Sequence, residues 1–175
     1  MSTPTKTPIP PAETSSDASA ETATVYTLKH PFVARQAGAD VEYAELPIPE
    51  VITVAMMRKI KSATTMLFAH ELTEICAGLG PFEANKLATP DALGYTQAVS
   101  DLLEPRDEPG FVIPKISAFK PLLMKVTVDV DRRVEFVAQV LSHSGIKNDV
   151  INAMDYRDFA PAVPLVLEMF PGPKT

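Results

Sequence analysis

The sequence holds one cysteine, Cys76, so it cannot close a disulfide on itself, and a disulfide-stapled scaffold is excluded. It has no tryptophan and only three histidines, His30, His70 and His143. A zinc site built on histidine and cysteine, which needs three or four ligands, therefore has little to draw on. No apolar run reaches the roughly 20 residues of a membrane-spanning helix. The segment "VPLVLEMF" is far shorter. The first residues, "MSTPTKTPIPPAETSSDASAETAT", contain no apolar stretch of signal-peptide length, so a reducing cytoplasm is the expected setting. Neither G-x-G-x-x-G nor G-x-x-x-x-G-K-S/T occurs, which removes the usual backbone cradles for phosphate. Positive charge is also scarce: 16 Lys and Arg face 22 Asp and Glu, for a formal net charge of −6. A general nucleic-acid binder would need a basic face to neutralise phosphates, so neither nucleic acid nor membrane is expected as a partner.

What is present is a globular composition. Hydrophobic residues make up 46% and charged ones 22%, enough apolar material for a core in a chain of 175 residues. Residues 1–23 are mostly Pro, Thr, Ser, Ala and Glu, with nothing to bury, and are expected to form a disordered tail. From Thr24 the pattern alternates. "TVYTLKHPF" and "DVEYAEL" read as strands joined by a turn with Gly38 at its tip, a β-hairpin ending at Pro47 and Pro49.

The period then becomes helical. "EVITVAMMRKIKSA" predicts a first helix with Arg58, Lys59 and Lys61 at its carboxyl end, where cations suit the macrodipole. "TTMLFAHELTEICAGLG" predicts a second, closing on Gly78 and Gly80. "TPDALGYTQAVSDLL" predicts a third, with Thr89 as N-cap and Pro90 in the first turn. Sliding the chain by about 66 positions then repeats the plan. It pairs Met56-Met57 with Leu122-Leu123, Lys59 with Lys125, Ile60 with Val126, Phe68 with Val134, Leu72 with Ala138 and Ile75 with Leu141. One extra residue brings Gly78-Leu79 onto Gly145-Ile146, Leu87 onto Met154, Asp91 onto Asp158, Val99 onto Val166 and Leu102-Leu103 onto Met169-Phe170. The expected fold is α+β, mostly α: an N-terminal β-hairpin followed by two similar helical units. The expected divisions are a tail over 1–23, the hairpin and first helical unit over 24–104, a linker over 105–110 and a second helical unit over 111–175.

One stretch suggests chemistry. In "FAHELTEICAGLG", His70, Glu71 and Glu74 stand at H-E-x-x-E spacing, near the H-E-x-x-H of zinc hydrolases. The corresponding residues of the second unit are Phe136, Val137 and Val140, so the units share an apolar stripe and not the carboxylates. His70 and Glu74 fall opposite that stripe, where solvent is expected. Cys76 flanks it and is read as packing. "SHSG" places Ser142 beside His143, but helix neighbours do not face each other. "DVDRR" lacks further oxygen ligands at calcium-loop spacing, and Asp129 or Asp131 reads as a helix start. No catalytic residue, cofactor site or metal site is expected, and the chain is read as a non-enzyme.

Binding has more support. The helix "VEFVAQVL" is apolar on more than one face, so it is buried between the units or is an interface. Six of the seven methionines, Met56, Met57, Met66, Met124, Met154 and Met169, fall at apolar helical positions, where adaptable thioethers serve a core or a partner. Met56, Met57, Val137, Val140 and Met169 are the candidate partner-binding residues.

The layout resembles the tail assembly chaperones of long-tailed bacteriophages, the tail protein E group. The resemblance is carried by "YTLKHPF", "AGADVEYAELPIP" and "EICAGLGPFEANKLATPDALGYTQAVSDLL", and again by "SHSGIKNDVINAMDYRDFAPAVPLVLEMF". It departs at Pro161 and Pro164, which require the last helix to kink or start late, and in the apparent doubling. The resemblance implies a non-catalytic protein of the host cytoplasm, absent from the mature virion, that binds the tape-measure protein and keeps it soluble. It leaves open a homo-oligomer and a frameshift-extended form of the chain as further partners. The alternatives are a structural virion component, such as a tail tube or connector subunit, and a metal-dependent hydrolase on His70 and Glu74.

Overall fold

The computed structural model describes residues 24–36, 38–62, 64–114 and 132–170. The tail over 1–23, the pairings of residues 122–126 and the Asp129 or Asp131 helix start lie outside the described residues.

Alternation in the first segment produces an antiparallel hairpin, β1 (Val25–Gln36) and β2 (Ala39–Pro47). Gly38 follows β1 with φ of 91°, a conformation that costs other residues Cβ strain. The register slips between Thr27 and Phe32, where β1 carries extra residues and bulges. On one face Leu28 and Leu46 are buried, and Phe32 stacks on Tyr43.

The first helix is shorter than the sequence pattern suggests. α1 runs only from Val54 to Lys59, capped by the Thr53 hydroxyl, which accepts from Met56 N. The preceding residues are extended because they pair across the molecule: Val54 N donates to Met154 O at 3.0 Å and Tyr156 N to Ile52 O at 2.8 Å. Backbone groups satisfied in that seam are withdrawn from the helix.

α2 (Thr65–Ala77) ends at Gly78, left-handed with φ of 68°. The other terminal glycine, Gly80, serves instead as the N-cap of a one-turn helix, α3 (Pro81–Ala84). α4 (Thr89–Ala98) begins after Ala88 rather than at a Thr89 cap, and a short 3-10 turn follows over Ser100–Leu102. Thr89 is the first residue inside the helix, and its hydroxyl lies 3.1 Å from His70 Nε2. The second half runs α5 (Arg133–His143), then Gly145 with φ of 107°, α6 (Asn148–Ala153), α7 (Tyr156–Phe159) and α8 (Ala162–Glu168). The last helix starts late, with Pro161 as the N-cap of α8 and Pro164 in its first turn, where a missing N–H costs no intrahelical bond.

Two apolar clusters result. The first joins the hairpin to α2 and α4 through Leu28, Leu46, Leu72, Tyr95 and Val99. Tyr95 is fully buried, and its hydroxyl donates to Pro47 O at 2.7 Å. The second is centred on α5, where Phe136, Val137, Ala138, Val140 and Leu141 meet Ile151, Phe159 and Val166. α1 belongs to both, since Met57 packs in the first cluster and Val54 in the second. The stretch expected to be a linker lies along α7: Arg106 N donates to Arg157 O and Gly110 N to Asp158 O. Among the described residues no helix is long and apolar enough to cross a membrane.

Candidate functional site

The H-E-x-x-E residues turn out to hold local structure. His70 meets Thr89 as described, tying α2 to the start of α4. Glu71 accepts from Lys61 N at 2.7 Å, Ser62 N at 3.0 Å and the Ser62 hydroxyl at 2.8 Å, so it fixes the loop after α1. Burial opposes its ionisation, but these bonds outweigh burial and hold it below the usual carboxylate range. Glu74 is half-buried at the end of α2. Among the described residues no group of three or more His, Cys, Asp or Glu side chains is placed to hold a metal ion. Cys76 faces the first core, and burial pushes its thiol up to about 11.

The buried side of α2 consists of Ala69, Leu72, Thr73 and Cys76. Of the stripe expected from the sequence, Leu72 is fully covered while Phe68 and Ile75 remain half-buried. The five candidate partner-binding residues do not form one surface. Val137 and Val140 are completely buried in the second cluster, so a partner would reach them only if that core opened. Met57 is buried in the first cluster. Met56 is half-buried and caps α1, its sulfur accepting from Thr53 N at 3.5 Å. Met169 is half-buried against the second cluster.

The surface that does present apolar side chains lies elsewhere. Met66 and Leu67 in the first turn of α2 are 59% and 57% exposed, and Leu93 on α4 is 40% exposed. Between the two helices runs an open trough of about 520 Å3, floored by Phe68, Ala69, Leu93 and Leu103 and edged by Gln97 and Glu104. A second depression on the other side of Thr65 is lined by Met66, Leu67 and His70. The sequence signal for this surface was "TMLFA": four apolar positions in five residues at a helix start exceed what one buried face accommodates.

Phe68 also forms part of a cleft of about 230 Å3 where the halves meet. Its walls carry Arg58 and Lys61 from the first half and Arg132, Arg133 and Glu135 from the second. Arg58 clamps Glu135 with both forks, Nε to Oε2 at 2.5 Å and Nη2 to Oε1 at 2.9 Å. Its Nη1 reaches Asn148 Oδ1 at 2.7 Å and Asn152 Oδ1 at 2.6 Å. This bidentate pairing holds the Glu135 carboxyl below its ordinary range. One arginine on α1 thus joins α5 and α6 to the first half.

No protein-family model, no curated protein and no solved structure matches the chain.

Proposed function

We propose that this chain is a phage tail assembly chaperone that binds the tape-measure protein and keeps it soluble while the tail assembles. The observation that supports the reading best is the exposed apolar side chains of α2 and α4: Leu93 lines a trough floored by Phe68 and Ala69, and Met66 and Leu67 line the depression on the other side of Thr65. A trough between two helices suits the apolar side of an amphipathic partner helix, which seats anchors spaced three and four residues apart. Contiguous exposed apolar surface of this kind is a mark of binding sites. Of the H-E-x-x-E residues, His70 already bonds to Thr89 and Glu71 to the 61–62 loop. The proposed setting is the host cytoplasm, with the chain absent from the finished virion.

Co-expression tests the reading. The tape-measure protein should be recovered soluble with this chain and aggregated without it. Replacing Leu67 and Leu93 by Asp, both exposed, should abolish the rescue while leaving the chaperone folded. Equal insolubility with and without the chain would overturn the proposal. The structural-subunit reading gains from one feature: the sheet is only two-stranded among the described residues, which leaves room for strand pairing between copies. It requires purified protein to assemble into rings or tubes, visible by light scattering and electron microscopy.

A further inference from the structure

The chain is acidic overall, with a formal charge of −6, yet the cleft between its halves is basic. Arg58 is neutralised there by Glu135, and the other nearby carboxylate, Glu71, is held by the 61–62 loop. Lys61, Arg132 and Arg133 are exposed and form no ion pair with a carboxylate among the described residues. Among the described residues four cationic side chains here, Arg58, Lys61, Arg132 and Arg133, stand against two carboxylates, Glu71 and Glu135, and that excess on an acidic protein makes a local field that favours an anionic occupant. The floor is not polar, since Ile60, Phe68, Val134 and Tyr156 form it. Phe68 continues that floor into the trough between α2 and α4. An occupant that follows both depressions must therefore be apolar along its length and negatively charged at one end.

From this continuity we infer that the cleft anchors the acidic end of a partner helix whose apolar side lies in the α2–α4 trough. The inference rests on the proposed function only in taking the trough as a docking place, and it adds the charge pattern and direction of the partner segment. Carboxylates are the chemistry favoured. A nucleic acid would satisfy the cations but would leave the apolar trough empty. The cations raise the association rate as well as affinity, so the effect weakens with salt.

Two synthetic amphipathic peptides with the same leucine face test it, one ending in a cluster of glutamates and the other in glutamines. Titrated at low salt against the full chain, the glutamate peptide should bind about tenfold more tightly, as expected for three exposed charge pairs acting together. Raising the salt should shrink that ratio. The Lys61→Gln, Arg133→Gln double variant should bring it close to one while keeping the glutamine peptide's affinity and the thermal midpoint unchanged. Leu93→Asp should weaken both peptides alike. Equal affinity for the two peptides, no binding of either, or a ratio untouched by the double variant would overturn the inference. So would a DNA duplex that displaces the glutamate peptide. If the peptides discriminate as expected while co-expression fails to rescue the tape-measure protein, the cleft stands and the chaperone reading falls. The reverse pair of results removes the cleft alone.

Discussion

The stretches α2 to α4 and α5 to α8 each open on a long helix followed by a left-handed glycine, Gly78 and Gly145, but fill their interiors in opposite ways. In the first, Ala92, Tyr95 and Val99 point into the core; at the corresponding places in the second stand Phe159, Ala162 and Val166, and all six are completely buried. The large ring and the small methyl have exchanged positions one turn apart. Covering elements differ as well. The first core is closed by a hairpin whose bulge is gripped by Asp91, fully buried, which accepts Lys29 N at 2.7 Å and His30 N at 3.0 Å. At the matching position Asp158 meets Arg106, and the irregular stretch up to Gly110 runs past it. Here a Cβ on Gly110 would stand 2.7 Å from Asp158 Cβ, so the approach needs glycine. The comparison teaches that the helical frame tolerates different lids and different core shapes, provided that the volume at each layer is made up from one side or the other.

The largest effects should come from emptying those layers. Tyr95→Ala and Phe159→Ala should each cost about 3–5 kcal/mol, the range for removing a buried ring. Because α1 packs in both cores, urea unfolding of each variant should remain one transition followed alike by fluorescence and circular dichroism. Separate transitions for the two variants would mean that the halves are independent. The joint itself should come next. Arg58→Met leaves Glu135 without its bidentate partner and should cost about 2 kcal/mol near neutral pH. The sign of its pH dependence follows from Glu135, whose folded pKa is lowered, mainly by the bonds from Arg58. That stabilisation is present above the unfolded carboxyl value and disappears as pH falls through the folded one. The stability gap between wild type and variant should therefore close on acidification; a gap constant down to acid pH would sink this account. A third pair of variants, the second with the smallest effect, separates the two lids. Asp91→Asn should cost about 1–3 kcal/mol, since one of two backbone donors would face an amide donor. Asp158→Asn, whose partner Arg106 is exposed, should cost under about 1 kcal/mol. Equal costs would show that the two aspartates do the same job.

Much of this frame could be read from residue patterns. Strand alternation located β1 and β2, Gly38 marked their turn, and the apolar period with Gly78 located α2 and its stop. What escaped was decided by distant partners. Ile52 and Thr53 have helix-compatible neighbours but are extended because residues 154–156 pair with them. Thr89 looked like a cap but is the first residue inside α4, its hydroxyl against His70. Pattern also cannot say which apolar residues gain the core when there are too many. Met66 and Leu67 stayed outside on α2, while Val137 and Val140, taken as partner contacts, went fully inside. The basic cleft was invisible for a simpler reason: Arg58 and Lys61 meet Arg132 and Arg133 only through the fold.

The buried position of Cys76 has a practical consequence. A thiol-specific reagent finds no other target in this chain, and it finds this one only when α2 lifts from the hairpin side of the molecule. With the thiol pushed up to about 11, little of it is thiolate at neutral pH, so labelling of the closed form should be very slow. Labelling kinetics thus report how often the packing around α2 opens, by itself or together with the rest of the molecule.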